Sequence, residues 1–231
     1  MELPQRAHKA LIEKTLADEV ILHNSRDSTA IEVREKPQQK PANECTKKKT
    51  PKKRGRPKKS KEVPKEQRKL TRIEKQGSMT LEEMLKDLPT ACDKGAKKDS
   101  KGNVMYWTGY KLHLDTIDGG IPVSALVTSA SLHDSQVAIP LATITKERII
   151  NCYDLMDAAY DIPAIIEHSR SLEHIPLIDK NPRRNKELKK ALIEENMARK
   201  TLNLVFPETL RYNVRSTAER TNARLKDEFG A

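Results

Sequence analysis

Residues Tyr106–Leu132 read YWTGYKLHLDTIDGGIPVSALVTSASL, and the fold turns on them. Two runs rich in β-branched and aromatic residues meet at Asp118-Gly119-Gly120. Consecutive glycines supply the positive φ of a tight turn, so the stretch predicts a β-hairpin. Its neighbours decide what kind of sheet it joins.

Downstream, Asp134 to Glu147 predicts a helix with Val137, Ile139, Leu141 and Ile144 as its apolar side chains. RIINCYDLMDAAYD (148–161) reads as a buried strand ending in acids, IPAIIEHSRSL (162–172) as a helix behind it, and HIPLIDK (174–180) as another short strand. Lys186 to Thr201 has the charge of a helix lying over a surface, and Ser216 to Phe229 is helical by propensity with Ser216 placed to cap it. Upstream, residues 3–19 predict a helix bearing Leu11, Ile12 and Leu16. Residues 19–23 turn extended and apolar, and RDSTAIEVRE (26–35) predicts a strand. SMTLEEMLKDL (78–88) predicts a small amphipathic helix capped by Ser78, with Leu81, Met84, Leu85 and Leu88 on one face.

Between the first strand and that helix the composition changes. Residues 36–77 hold 17 Lys and Arg against 4 Asp and Glu, while the other 189 residues balance to −2, so the net +11 of the chain belongs to one segment. That segment has no aromatic residue and cannot bury enough apolar surface to offset the entropy of ordering. It reads as an exposed, disordered insertion. All eight aromatics lie from Tyr106 onward, which places most of the core there. Cys45, Cys92 and Cys152 are odd in number and widely spaced, suggesting neither a disulfide framework nor a zinc site. No apolar run reaches the roughly 18 to 20 residues of a membrane span, and a soluble chain in a reducing cytoplasm is the expectation.

The order of strand, insertion, hairpin, helix, strand, helix, strand and helices makes an α/β fold, a mixed sheet with helices on its faces. Ribonuclease-H-like folds have this order, and so do other α/β arrangements. The expected division is 1–35, an N-terminal helix and first strand; 36–77, the basic insertion; and 78–231, the remainder of the domain.

Several polar residues stand where chemistry is possible. Tyr212, Arg215, Glu219 and Lys226 recur at spacings of 3, 4 and 7, which at about 100° per residue puts them within roughly 60° of one another on a helix. A carboxylate flanked by cations can bind a metal while the cations hold an adjacent phosphate; an ordinary surface helix with Arg–Glu and Glu–Lys pairs has the same spacing. Asp27, near the middle of the first strand, and Asp157, at the end of the apolar strand, are costly to bury unless paired or bound to a cation. His133-Asp134-Ser135 reads as a helix cap involving Asp134 or Ser135, because adjacent residues point apart. Trp107 and Tyr110 read as hairpin packing.

With these residues the chain resembles the DDE transposases of bacterial insertion sequences, in particular the insertion-sequence-4 superfamily. Its signature is Tyr, two residues, Arg, three residues, Glu, six residues, Lys, met here at Tyr212, Arg215, Glu219 and Lys226. A chance match in a chain of this length is on the order of one in a thousand. Asp27-Ser28-Thr29, GYKLHLD, SASLHDSQVA and ERTNARLKDEFG are also similar to that family. The resemblance implies a ribonuclease-H-like catalytic domain in which Asp27, Asp157 and Glu219 bind two Mg²⁺ ions, or Mn²⁺ in their place, with Tyr212, Arg215 and Lys226 around the DNA phosphate. Such a pair of ions activates the attacking water or 3′-hydroxyl and stabilises the leaving oxygen. Where relatives have Gly-Tyr after the second acid, this chain has Ala159-Tyr160. Asp154 and Asp161 therefore stay in view beside Asp157, which keeps the aromatic in register. The implied activity is cleavage at transposon ends and strand transfer into target DNA, by a synaptic homodimer working at the bacterial nucleoid in the cytoplasm.

Relatives carry more chain ahead of the first strand and behind the last helix, so a copy truncated at both ends is expected. Lys52–Lys59, KKRGRPKK, looks like an AT-hook: Arg54 and Arg56 would enter the minor groove of A·T tracts, Gly55 would permit close approach and Pro57 would keep the chain extended. Its lysines add salt-dependent phosphate contacts. A noncatalytic DNA-binding remnant that competes with an intact transposase is the alternative.

Overall fold

The computed structural model describes residues 3–16, 18–37, 70–98 and 102–229. The chain opens with α1 (Leu3–Leu16) and the long strand β1 (Val20–Glu32). The apolar run at 19–23 and the RDSTAIE segment thus form one strand, and the first helix ends at Leu16 rather than 19. After the basic segment come α2 (Arg72–Gln76), α3 (Leu81–Asp87) and β2 (Asp93–Lys98). The hairpin follows as β3 (Val104–Ile117) and β4 (Ile121–Ser129). Its turn uses Gly119 at φ 83° and Gly120 at φ 79°, a region in which side chains are disfavoured.

A 3₁₀ turn (Asp134–Val137) leads into α4 (Ala138–Lys146), then β5 (Ile150–Met156), a second 3₁₀ turn (Ala158–Tyr160), α5 (Pro163–Ser171) and β6 (Ile175–Ile178). The chain finishes with α6 (Lys186–Thr201), α7 (Pro207–Asn213) and α8 (Ser216–Phe229). The charged helix expected over 186–201 is α6, with no buried residue.

The six strands form one mixed sheet. β3 pairs antiparallel with β1 and β4, while β5 runs parallel to β1 and β6 parallel to β5. The order β4-β3-β1-β5-β6, with helices after the hairpin, is the ribonuclease-H-like arrangement. β2 adds antiparallel to the first half of β3, from Asp93↔Gly109 to Lys98↔Val104; this strand was not foreseen.

Three apolar clusters hold the layers together. Ile73, Met84, Ala138, Ile139, Met156, Tyr160 and Ile165 join α2 to α5 to the sheet, and Leu88, Leu132, Val137 and Leu141 extend that layer. At the end of the sheet where β1 and β5 begin, Ile12 of α1 meets Ile21, Ile117, Val123 and Ile149. Ile73 anchors α2, which lies within the range read as the basic insertion. Thr80, not Ser78, caps α3: its hydroxyl accepts from Glu83 N, and Glu83 Oε2 accepts from Thr80 N at 2.8 Å, a reciprocal capping box. Ser216 is the first helical residue of α8, not its cap. Among the described residues no helix is long and apolar enough to cross a membrane.

Candidate active site

The site arises from unequal strand lengths. The parallel register of β1 and β5 ends at Ser25↔Leu155 and β5 stops at Met156, but β1 continues to Glu32 paired with β3 alone. Past Ser25 one edge of β1 therefore faces a gap at the carboxyl end of β5, the place where open α/β sheets bind ligands. Asp27 lies on that overhang. Asp157 is the residue after β5, where its Oδ1 accepts from Ala159 N at 2.8 Å and caps the following 3₁₀ turn.

α8 packs over β1 and β3 and closes the third side. Asn222 Nδ2 donates to Asp27 Oδ2 at 2.9 Å. Glu219 and Lys226 lie about one turn to either side of Asn222. Asp27, Asp157, Arg215, Glu219, Asn222 and Lys226, with Lys97 of β2, line one cleft of about 370 Å³. An adjoining hollow of about 320 Å³ shares Asp27, Asp157, Lys97 and Lys226 and adds Trp107, Lys111 and Asp134.

The electrostatics of the acids differ. Burial holds the Asp27 carboxyl above the ordinary range, and the nearby charge of Asp157 pushes the same way, against the Ser28 amide, Arg215 and Asn222. Glu219 Oε1 instead accepts from Arg215 Nη2 at 2.6 Å. Burial disfavours the charge on Arg215, but Tyr212 and Glu219 outweigh it and raise its pKa. Asp134 is lowered although burial pushes it up, because Lys111 Nζ sits 2.8 Å from its Oδ1 and Ser28 donates to it.

The stripe expected on one helix is divided. Tyr212 belongs to α7, Arg215 lies in the joint, and Glu219 and Lys226 are on α8. At the joint, bonds from Arg215 N to Tyr212 O and from Ala218 N to Arg215 O are three-residue steps, so the helical phase does not carry through. The Tyr212 hydroxyl is raised first by burial and then by a hydrogen bond to Asp179. Arg215 lies 5.7 Å from its ring.

The other two acids of the β5 segment are occupied elsewhere. Asp154 accepts from Ser169 and from Asn151 Nδ2 at 3.0 Å, and contacts His174 Nδ1 at 3.1 Å, within the protein. Asp161 Oδ2 accepts from Asn181 N at 2.9 Å. His133, rather than Asp134 or Ser135, supplies the cap before α4: its Nδ1 accepts from Ser135 N. Asn222, Lys97, Lys111 and Asp134 were not singled out as site residues. The signals present were the three-residue step from Glu219 to Asn222 and the likeness of SASLHDSQVA to its counterparts. Arg54, Gly55, Arg56 and Pro57 lie outside the described residues.

Asp27 and Asp157 offer the hard oxygen donors that divalent cations take, and their mutual repulsion is what a cation there would relieve. Glu219 is turned to Arg215, and among the described residues no group of three acids, histidines or cysteines is gathered closely enough to hold a metal ion. Asp27 and Asp157 border one cleft, and Glu219, which borders it too, is bonded to Arg215.

A family model described as transposase DDE domain matches residues 25–231. No curated protein and no solved structure matches the chain.

Proposed function

The chain belongs to the transposase DDE domain family, and from that premise we propose that it cleaves DNA strands and joins them to a target in the movement of an insertion sequence of the insertion-sequence-4 type. DDE transposases act on DNA and generally use divalent metal ions. The observation that carries the reading is the shared cleft, which Asp27 and Asp157 line together with Glu219, Arg215 and Lys226. Asp27, Asp157 and Glu219 would hold the metal, Mg²⁺ or its substitute Mn²⁺. Two such ions, when bound, supply activation of the attacking oxygen and stabilisation of the leaving one.

The residues of the chain do the rest. Lys226 and Arg215 attract the phosphodiester, the guanidinium in the bidentate geometry that suits phosphate. In the Arg215–Glu219 bond the carboxylate is about half exposed and the guanidinium 20% exposed, an i,i+4 pair of a class worth under about 1 kcal/mol. A phosphate competing for Arg215 therefore frees Glu219 to turn toward Asp27 and Asp157. Asn222 keeps Asp27 oriented, and Asp157 is held by the turn it caps. Synapsis of two ends by a homodimer, nucleoid association and minor-groove binding through Arg54-Gly55-Arg56-Pro57 complete the reading.

The second reading, a noncatalytic DNA-binding protein, is favoured by one observation: Glu219 is paired away from the other two acids. Nicking of supercoiled DNA with Mg²⁺ or Mn²⁺ separates the two. Activity in the parent that Asp157→Ala and Glu219→Ala both lose supports the enzyme. A folded chain that binds DNA and never nicks it supports the second reading.

A further inference from the structure

We propose that Asp134, anchored by Lys111, is a positioning residue that braces the free end of β1 and so sets the spacing between Asp27 and Asp157. The proposal rests on the reading that these two acids share a divalent cation.

The free end needs a brace. Past Ser25, β1 has no strand partner on the β5 side among the described residues, and only β3 pairs with it. Two side-chain bonds close on this stretch from opposite faces. Asn222 of α8 donates to Asp27 on one face. On the other, the next residue, Ser28, donates its hydroxyl to Asp134. Gripping a strand residue from one face also fixes its neighbour on the other, because successive side chains alternate along one continuous backbone.

Asp134 is itself held. Ser28 stands opposite His113 in the sheet, and Lys111, two residues along β3 from His113, rises on the same face. Lys111 Nζ donates to Asp134 Oδ1 and to Leu132 O, both at 2.8 Å, which ties the 132–134 turn to the sheet at two points. The Lys111 side chain is 14% exposed and that of Asp134 27%, so little water competes for the pair.

The same turn reaches Asp157. The 3₁₀ turn Asp134–Val137 packs against the 3₁₀ turn Ala158–Tyr160, the one that Asp157 caps. Tyr160 in that turn is buried. Burial holds its phenol well above the ordinary range, and the charges of Asp134, Asp27 and Asp157 push the same way, against Arg26. Three carboxylates thus gather about one buried ring, and all three line one hollow of the cleft. A residue so placed acts on a metal ion through the ligands it orients, and two like charges held close together depend on such support.

The experiment compares the full chain with two variants of the brace. Asp134→Asn keeps the shape of the side chain and removes its charge; Ser28→Ala cuts the brace and leaves the Lys111–Asp134 pair intact. Ile12→Val, in the apolar cluster under α1, supplies lowered stability remote from the brace. Amide exchange across residues 26–32 is followed without divalent ions, and Mg²⁺ alone is then titrated by calorimetry in the absence of DNA. Both brace variants should exchange faster over 26–32 and bind Mg²⁺ about tenfold more weakly, while Ile12→Val keeps the Mg²⁺ affinity of the parent. Parental exchange or parental Mg²⁺ affinity in either brace variant overturns the proposal, as does an equal weakening in Ile12→Val. Weakening in Asp134→Asn that Ser28→Ala does not share overturns it too, by making Asp134 a ligand in its own right. Faster exchange in both brace variants, in a chain whose parent binds no Mg²⁺ through Asp27, removes the metal reading and leaves the brace standing.

Discussion

Arg26 and Asp27 are adjacent on β1 and point to opposite faces of the sheet, and the two charged regions they enter are built differently. Arg26 donates through Nε and Nη2 to Asp115 at 2.8 and 2.6 Å. Asp115 also accepts from Thr145 at 2.6 Å and Asn24 at 3.1 Å, and Asn24 leads on to Asp154. The carboxylates and the guanidinium of that network are buried and partnered; among the described residues Asn24 Oδ1 lacks a partner. Among the described residues Asp27 has one side-chain donor, Asn222, besides the Ser28 amide, and a second carboxylate for a neighbour. Charges that answer one another across β3, β1 and β5 specify register. Charges left short of partners beside an opening are available to a ligand.

The largest effect is expected on the partnered side. Asp115→Ala leaves Arg26 buried without its counter-charge and should cost about 3–5 kcal/mol, read as a lower urea midpoint at unchanged slope. A loss below about 1 kcal/mol would mean that water reaches the guanidinium.

Acid should act next. Burial lowers His113 from 6.5 to about 4, so between those values the unfolded chain takes up a proton that the folded chain refuses, and stability present above 6.5 is lost as pH falls. The expected loss is on the order of 3 kcal/mol. Asp154 follows: burial pushes it up, but His174, Arg26 and Ser169 bring it to about 2, so its contribution disappears between 3.8 and that value. Urea midpoints measured against pH should show both stages in the parent, and His113→Gln should lack the first. A parent flat from 6.5 to 4 would refute the assignment.

Asp27 has the opposite sign. Its raised pKa means that the ionised form weakens the fold, with stability fully present below 3.8 and lost as pH rises through the folded value. In the absence of divalent ions, Asp27→Asn should therefore raise the melting temperature at neutral pH, by less than either loss above, and leave it unchanged near pH 3. Mg²⁺ should stabilise the parent and not the variant; equal stabilisation of both would place the ion elsewhere. Smallest of all, Glu219→Gln should shift stability by no more than about 0.5 kcal/mol while removing nicking, since the Glu219 side of its i,i+4 pair with Arg215 is about half exposed.

Much of this was legible in the chain, within limits set by how far local patterns reach. The hairpin, β5, α5 and α6 follow from periodicity and turn chemistry, which depend on residues close in sequence. The placement of Tyr212 failed because three-residue steps around Arg215 reset the phase of a helix, and no side-chain pattern marks them. β2 was missed because DKGAKK has almost no apolar side chain; it is a strand only because β3 offers it a free edge. For Asn222 and Asp134 the local signals, a three-residue step from Glu219 and a place in SASLHDSQVA, name no partner, since Asp27 and Lys111 are remote in sequence.

By itself the sequence determined that one strand carries Asp27, that another ends just before Asp157 and that a terminal helix carries Glu219 and Lys226, because element type and the side chains on it are local properties. That β1 outruns β5, that Arg26 turns into a closed network while Asp27 turns to the opening, and that Glu219 is held by Arg215 were decided only by the tertiary structure. Those facts depend on register between segments distant in the chain, where a shift of one residue would exchange the faces of Arg26 and Asp27 and move the site into the core.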